Sequence, residues 1–435
     1  MPHLADPNKD NLISMSNKKR VVVTGMGVIS SVGNNVETFW QNLINGVCGI
    51  DYIKEFPTEE LPVKIAGKIK DFNAEDYGMD KPFIRKQDLF CQYGMAAAYQ
   101  AMNDADLHSD GENKNIDPFR LGVYVGSGIG GFEVQYRETA KMIEDPSGHW
   151  ISPLFIPTMI SNIAAGHIAI KHNAQGPCLD IVTACATSSH CLGEACRAIR
   201  HGYADAIIAG GCENATIPIG IAGFANAKAL SRAEDPKYAS LPFNGNRQGF
   251  VMGDGAGILI LEEYEHAMAR GAKIYGEMVG YGNTCDAYHA TAPRPDGQTQ
   301  AKCITLALEE AGFDKEKDNL YINAHGTGTH LNDIAETIAY KAALGDFAYK
   351  AHISSIKSMT GHMFGAAGAA EAIATILALK EGIIPPTINL DCPDPECDLD
   401  YTPNVALKSD ITLGISDSLG FGGHNACVAF RQYKD

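Results

Sequence analysis

Short apolar runs alternate with longer apolar stripes along most of the chain. Arg20-Val21-Val22-Val23-Thr24-Gly25 is a β-branched run closed by a glycine, which predicts a buried strand entering a tight loop. Runs of the same kind recur at 121–125, 206–209, 258–261, 320–324, 352–356 and 428–430. Between them, Leu192, Ala195, Cys196 and Ile199 fall on one face of a helical repeat, as do Ala370, Ile373, Ala374 and Leu377. Strands alternating with amphipathic helices predict an α/β architecture in which helices cover sheet faces. The polar run at 263–273 follows a finished strand and offers a hinge, so two similar α/β halves are expected at 20–265 and 266–435.

Composition narrows the classes. The chain has 435 residues, 45% of them apolar and 20% charged, so it can bury a full core. No stretch approaches the roughly 18 consecutive apolar residues of a membrane span. With 35 Lys and Arg against 52 Asp and Glu, the formal charge is −17, which argues against nucleic acid or an anionic membrane as the main partner. An acidic partner would need a local basic patch. Twelve cysteines are scattered without the paired spacing of a zinc site or the density of a disulfide scaffold, which predicts reduced thiols in a cytoplasm and no metal. Residues 1–19 are polar and lack the apolar core of a secretory signal; they read as a loose extension in which Met15 is an alternative start.

Three segments carry candidate chemistry. Residues 180–189, Asp-Ile-Val-Thr-Ala-Cys-Ala-Thr-Ser-Ser, run from an apolar strand into the helix of Leu192 and Ile199. Cys185 therefore belongs at a helix N-terminus, where unpaired N–H groups and the helix dipole favour a thiolate and lower a thiol pKa toward neutrality. Downstream, His325 in Asn-Ala-His-Gly-Thr-Gly-Thr follows a strand on a glycine-rich loop. His362, in Lys-Ser-Met-Thr-Gly-His-Met-Phe-Gly, repeats the arrangement together with Lys357. A thiolate nucleophile, backbone N–H donors for an oxyanion and two neutral imidazoles able to stabilise an enolate are the parts that decarboxylative condensation requires. That chemistry needs no metal, redox group or other cofactor.

Together these segments closely resemble the elongating, type II β-ketoacyl-acyl carrier protein synthases of the thiolase-like superfamily. The likeness runs from Arg20 to the C-terminus. It includes Val-Val-Val-Thr-Gly-Met-Gly at 21–27, Ile-Pro-Thr-Met-Ile-Ser-Asn at 156–162, Thr-Ala-Cys-Ala at 183–186, Gly-Phe-Val-Met-Gly-Asp-Gly-Ala-Gly at 249–257, His-Gly-Thr-Gly-Thr at 325–329, Lys-Ser-Met-Thr-Gly-His at 357–362 and Gly-Phe-Gly-Gly-His-Asn at 420–425. The resemblance implies a five-layered αβαβα core, a homodimer, and an acyltransferase acting with acyl and malonyl forms of acyl carrier protein in fatty acid elongation. It implies Cys185 as nucleophile, His325 and His362 as the decarboxylating pair, and an electrostatic or structural role for Lys357. It also implies Phe421 as a gate whose N–H joins that of Cys185 in the oxyanion hole, and 156–166 as the interface side of the pocket. Arg85, Lys86 and Lys228 match basic positions for carrier docking.

The chain departs from the family pattern at Leu419, where phenylalanine is usual, at Asp417, where asparagine is usual, and at Asn244 and Gln248, where aspartates are usual. His424 stands in place of a common threonine, and His149-Trp150 where some members carry a basic pair. These leave open a ketosynthase of a polyketide or aryl polyene pathway. A non-catalytic partner subunit of the chain-length-factor kind conflicts with the presence of Cys185 and both histidines. A biosynthetic thiolase would carry a second catalytic cysteine, a role that Cys427, expected inside the last strand, does not fit. Gly126-Ser127-Gly128-Ile129-Gly130-Gly131 formally satisfies a dinucleotide fingerprint but lies far from the first βαβ unit, so no dinucleotide is expected there. Cys392 and Cys397 read as loop thiols.

Overall fold

A computed structural model describes residues 19–433. The N-terminal extension expected at 1–19 lies outside them, apart from its last residue. Ten strands form one hydrogen-bonded sheet: β1 Val21–Ile29, β2 Leu121–Gly126, β3 Cys178–Leu179, β4 Ala206–Glu213, β5 Gly255–Glu263, β6 Gly276–Cys285, β7 Leu320–Asn323, β8 His352–Ser354, β9 Leu413–Gly420 and β10 His424–Arg431. Its order is β8-β7-β9-β10-β6-β1-β5-β4-β2-β3.

That order contains one pattern twice. In each half the first strand pairs antiparallel with the fifth, the fifth antiparallel with the fourth, the fourth parallel with the second, and the second parallel with the third. Among the described residues the half-sheets pair only where Val22 and Val23 meet Glu277 and Gly276. A glycine pair repeats as well. Gly25 and Gly27 in β1 face the backbone of α1, Leu89–Ala105, so closely that a β-carbon would lie 2.2 and 2.0 Å from the carbonyl oxygens of Ala101 and Ala97. Gly280 and Gly282 in β6 face α3, Gln298–Glu310, where the same construction meets Ala307 and Cys303 oxygens at 2.1 and 1.9 Å. Only glycine permits a helix backbone to approach a strand this closely.

Between the two half-sheets lie α2, Thr187–Arg200, and α5, Ala367–Glu381, both of which touch each half. With α1 outside the first half-sheet and α3 packed on α4, His330–Leu344, outside the second, the layers run αβαβα. The central helices are buried nearly all round, including Leu192, Ala195, Cys196 and Ile199 on α2 and Ala370, Ile373, Ala374 and Leu377 on α5. The run at 263–273 is tied down. Tyr264 N–H donates to the Arg20 carbonyl at 3.0 Å, while His266 and Arg270 both bond the buried Glu262 carboxylate. Among the described residues no helix is long and apolar enough to cross a membrane.

Candidate active site

Both central helices begin at the site, and they begin alike. Ahead of α2, Ala184-Cys185-Ala186 forms a tight 3₁₀ turn whose first residue has φ +51°. Ahead of α5, Phe364-Gly365-Ala366 forms the same turn with φ +47° at Phe364. A left-handed residue at these positions is costly, and it is held because each turn joins a loop to a helix packed in the interior. The first turn presents Cys185. The second brings Gly365 N–H to the Glu213 carboxylate at 3.1 Å.

Cys185, His325, His362, Phe421 and Lys228 all line one cavity of about 380 Å³. The two imidazoles stand nearly perpendicular, with ring centroids 5.3 Å apart. Phe250 meets His362 edge-on at 5.3 Å, and Phe364 lies 5.0 Å from it. Phe224 stacks on Phe364 at 5.0 Å and reaches Phe421 at 6.4 Å, so aromatic rings form one wall from the histidines to the gate position. Leu419 lines the same space, as does Gln248. Arg85 and Lys86 are exposed but do not line it, and neither they nor Lys228 form an ion pair with any described residue.

Burial determines the resting protonation state. It drives His325 well below the ordinary histidine range, helped by the Lys357 charge and by His362; burial and Lys357 do the same to His362. Both imidazoles are therefore neutral at physiological pH, and the Nδ1 of each is buried without a hydrogen-bond partner among the described residues. Cys185 corrects the sequence expectation. It does sit at the start of a helix, but burial pushes its thiol up to about 12. The Lys357 charge and the backbone N–H groups of Phe421 and Cys185 act in the opposite direction and do not win. The free site thus holds a neutral thiol rather than a thiolate.

Lys357 is buried and pairs with Glu371 on α5 through a very short contact, while Glu371 Oε2 has no partner. Glu213, which sequence reasoning missed, closes β4 and accepts hydrogen bonds from Ser127 Oγ, Gly128 N, Ile129 N and Gly365 N. Its carboxyl rises to about 7 through burial, against those four donors. The glycine-rich loop at 126–131 thus turns two amides, Gly128 and Ile129, to this chain's own carboxylate and two more, Gly130 and Gly131, to Ser127 Oγ and the Met159 carbonyl, which leaves them no free donors for a phosphate. A buried acid ending the apolar run of β4 was the available signal.

The sequence pattern of the β-ketoacyl synthase N-terminal domain matches residues 18–267, and that of its C-terminal domain matches 275–391. The chain belongs to the β-ketoacyl synthase family. It is 49% identical over 419 residues to the 3-oxoacyl-[acyl-carrier-protein] synthase 2 of Synechocystis sp., covering 96% of this chain and 99% of that one. It is 47% identical over 420 residues to the synthase of the same name from Staphylococcus aureus, covering 97% and 100%. Among solved structures, a β-ketoacyl synthase from Burkholderia phymatum superposes with a TM-score of 0.88 at 34% identity, over 96% of this chain and all of that one. A type II polyketide ketosynthase, solved with its acyl-carrier protein and bound to the hexaketide, superposes with a TM-score of 0.87 at 35% identity and the same coverage.

Proposed function

We propose that this β-ketoacyl synthase condenses an acyl thioester with malonyl-acyl carrier protein, releasing carbon dioxide and a 3-oxoacyl-acyl carrier protein, in fatty acid elongation. The observation that carries the reading is the convergence of Cys185 and two neutral imidazoles, His325 and His362, on one cavity. In the first half-reaction the Cys185 sulfur attacks the acyl carbonyl. The N–H groups of Cys185 and Phe421 receive the oxyanion. The carrier's sulfur departs and takes up the proton that Cys185 gives up, so a neutral resting thiol balances the exchange.

Malonyl thioester then binds with its carbonyl oxygen toward His325 and His362. Its C–C bond to the carboxylate breaks, carbon dioxide leaves, and the imidazole N–H donors hold the enolate oxygen. The enolate carbon attacks the acyl group on Cys185, the C–S bond breaks, and the thiolate takes up one proton from solvent, the proton that the overall reaction consumes. Neutral rings suit this step, because each still carries an N–H to donate and neither sets a cation beside the malonyl carboxylate, which would stabilise the group that has to leave. Lys357 acts electrostatically, its charge favouring both the Cys185 anion and the neutral imidazoles.

Arg85, Lys86 and Lys228 are the proposed contacts for an acidic carrier. Lys228 at the cavity mouth is the best supported of them. A homodimer is supported by the exposed edge strand β3 and by Leu154, Ile156, Ile160, Ile170, Leu179 and Val182, which expose 36% or more of their surface on neighbouring segments. Twelve free thiols support a cytoplasmic location. The two repeated strand patterns support halves at 20–265 and 266–435. The test is mass spectrometry after incubation with acyl carriers of graded length. Acyl mass on the Cys185 peptide is expected, with a preferred chain length that separates fatty acid from polyketide substrates. No adduct, or an adduct at another residue, overturns the assignment.

A further inference from the structure

Behind the His325 loop lies a buried acidic cluster that the condensing mechanism does not use. Tyr340 on α4 places its hydroxyl oxygen 2.7 Å from Glu336 Oε1 and 2.8 Å from Asp417 Oδ1. A phenol has one proton to donate. With both carboxylates ionised, one of these two contacts would set an anionic oxygen against a lone pair, in an interior where such a contact is costly. A single proton resolves the geometry: one carboxyl donates to the Tyr340 oxygen, and Tyr340 donates to the other.

The surrounding charges agree. Lys357 is engaged by Glu371, and Arg247 by Asp333 at 3.4 Å and Asp394 at 2.6 Å. Gln300 on α3 gives Asp417 Oδ2 one neutral hydrogen bond at 3.1 Å, and Asn332 on α4 gives Glu336 Oε2 another at 3.0 Å. The Cys303 and Cys427 thiols, which burial and Asp417 push up, stay neutral. Lys357 also acts on Asp417 from a distance, while Glu371 adds a negative charge on the same side. No described cation is left to pair with Glu336 and Asp417 together.

We propose that Glu336 and Asp417 share one proton through Tyr340, and that this bridge positions the His325 loop against the strand leading to Phe421. Glu336 Oε2 accepts Gly326 N–H at 2.9 Å, directly after His325. Asp417 sits on β9, which delivers Leu419, Gly420 and Phe421 to the cavity. The bridge therefore clamps the decarboxylating side of the site to the oxyanion side. An asparagine at 417 would donate to Tyr340 without titrating. Aspartate makes the same contact only while the proton is present, so this chain has a clamp that alkali opens. Burial supports the direction, holding Asp417 near 6 and Glu336 well above the usual carboxylate range.

The kinetic arm of the test rests on the condensing reading, but the spectroscopic and thermal arms do not. Asp417→Ala is expected to lower kcat for condensation about 10-fold with little change in KM, the signature of a misplaced loop rather than lost binding. Asp417→Asn is expected to restore kcat to within about threefold and to remove the wild-type decline at alkaline pH. Infrared difference spectra between the two proteins should show one protonated-carboxyl band lost in Asp417→Asn, on top of the Glu213 band that both retain. Because both folded carboxyls are raised, wild-type stability falls as pH rises from about 4, through a first loss near 6 and on through the higher step at which the shared proton leaves, so the melting advantage of Asp417→Asn should keep growing above pH 6. Protonated-carboxyl absorbance that is the same in both proteins, or a melting difference that does not vary with pH, overturns the shared proton. A wild-type rate that follows sodium or potassium concentration instead of pH overturns it in favour of a bound cation. Asp417→Asn kinetics superimposable on wild type at every pH overturn the positioning role alone.

Discussion

Gly420 presses against Thr183: a β-carbon on the glycine would lie 2.4 Å from the Thr183 carbonyl oxygen and 3.4 Å from the Cys185 nitrogen. The strand leading to Phe421 and the turn carrying Cys185 thus touch backbone to backbone. Both proposed oxyanion donors depend on that contact. Gly420→Ala must push one segment away, and loss of an oxyanion donor is worth about 10²–10³ in kcat. Acyl transfer to Cys185, followed by mass spectrometry in single turnover, should slow on that scale. Malonyl decarboxylation, which relies on the imidazoles across the cavity, should be much less affected. Equal losses in both would mean that the substitution distorts the whole site.

Removing the sulfur separates chemistry from folding. Cys185→Ala should abolish condensation while leaving the melting temperature close to wild type, because the side chain lines a cavity rather than filling the core. His362→Ala should slow carbon dioxide release by about 10²-fold or more. Carbon dioxide release at the wild-type rate in that variant would give His362 a packing role against Phe250 and Phe364.

Lys357 supplies the charge that offsets burial of the thiol. Its ammonium lowers the Cys185 pKa and both histidine pKa values. Lys357→Met should therefore shift iodoacetamide alkylation of Cys185 to higher pH. It should also leave Glu371 buried without its cation, at a cost of about 3–5 kcal/mol. Adding Glu371→Gln should recover much of the stability but none of the alkylation shift, since the electrostatic effect belongs to the lysine. An alkylation profile unchanged in Lys357→Met would remove Lys357 from the nucleophile's environment.

The sequence revealed the site better than its electrostatics. The convergence of Cys185, His325 and His362 on one cavity was legible because each sits in a short motif beyond a strand end, and strand ends in an α/β sheet deliver residues to one rim; for His362 the helical turn Lys357–Thr360 intervenes. The repeated glycine pair, Gly25 and Gly27 against Gly280 and Gly282, was present in the sequence as a sign of duplication. Its meaning emerges only when each pair is seen under a helix backbone. Strand β9 was not anticipated, because Leu413–Gly420 mixes Ser416, Asp417 and Ser418 with apolar residues and breaks the run that marks a buried strand. The high thiol pKa was illegible for a different reason: helix position can be read locally, but depth of burial depends on segments distant in sequence. Glu213 illustrates the same limit, since its donors come from Ser127, Gly128, Ile129 and Gly365.

Acid stability follows from the neutral histidines. Their folded pKa values lie well below the unfolded value of about 6.5, so the unfolded chain takes up protons first as pH falls. The contribution of the pair is present above about pH 6.5 and drains away below it. Wild type should lose melting temperature on acidification from that point, and His325→Gln should lose less over the same interval, at the expense of decarboxylation. Parallel curves for the two proteins would show that the ring is solvated and protonated in the folded state.

Carrier docking separates surface from site. Lys228 combines φ +57° with a place on the cavity rim, so its backbone is held in a strained turn beside the entrance. Charge reversal, Lys228→Glu, should raise KM for carrier-bound substrates about 10-fold or more while leaving kcat with small thioesters unchanged, because like charges facing an acidic partner penalise encounter and binding. Arg85→Glu with Lys86→Glu should act in the same direction and more weakly, since those residues lie away from the rim. The difference should shrink with added salt, as expected for exposed charges screened over about 10 Å at 0.1 M ionic strength. A KM increase of equal size for a small thioester would place the effect inside the cavity, and would make Lys228 part of the substrate channel instead of the carrier's landing surface.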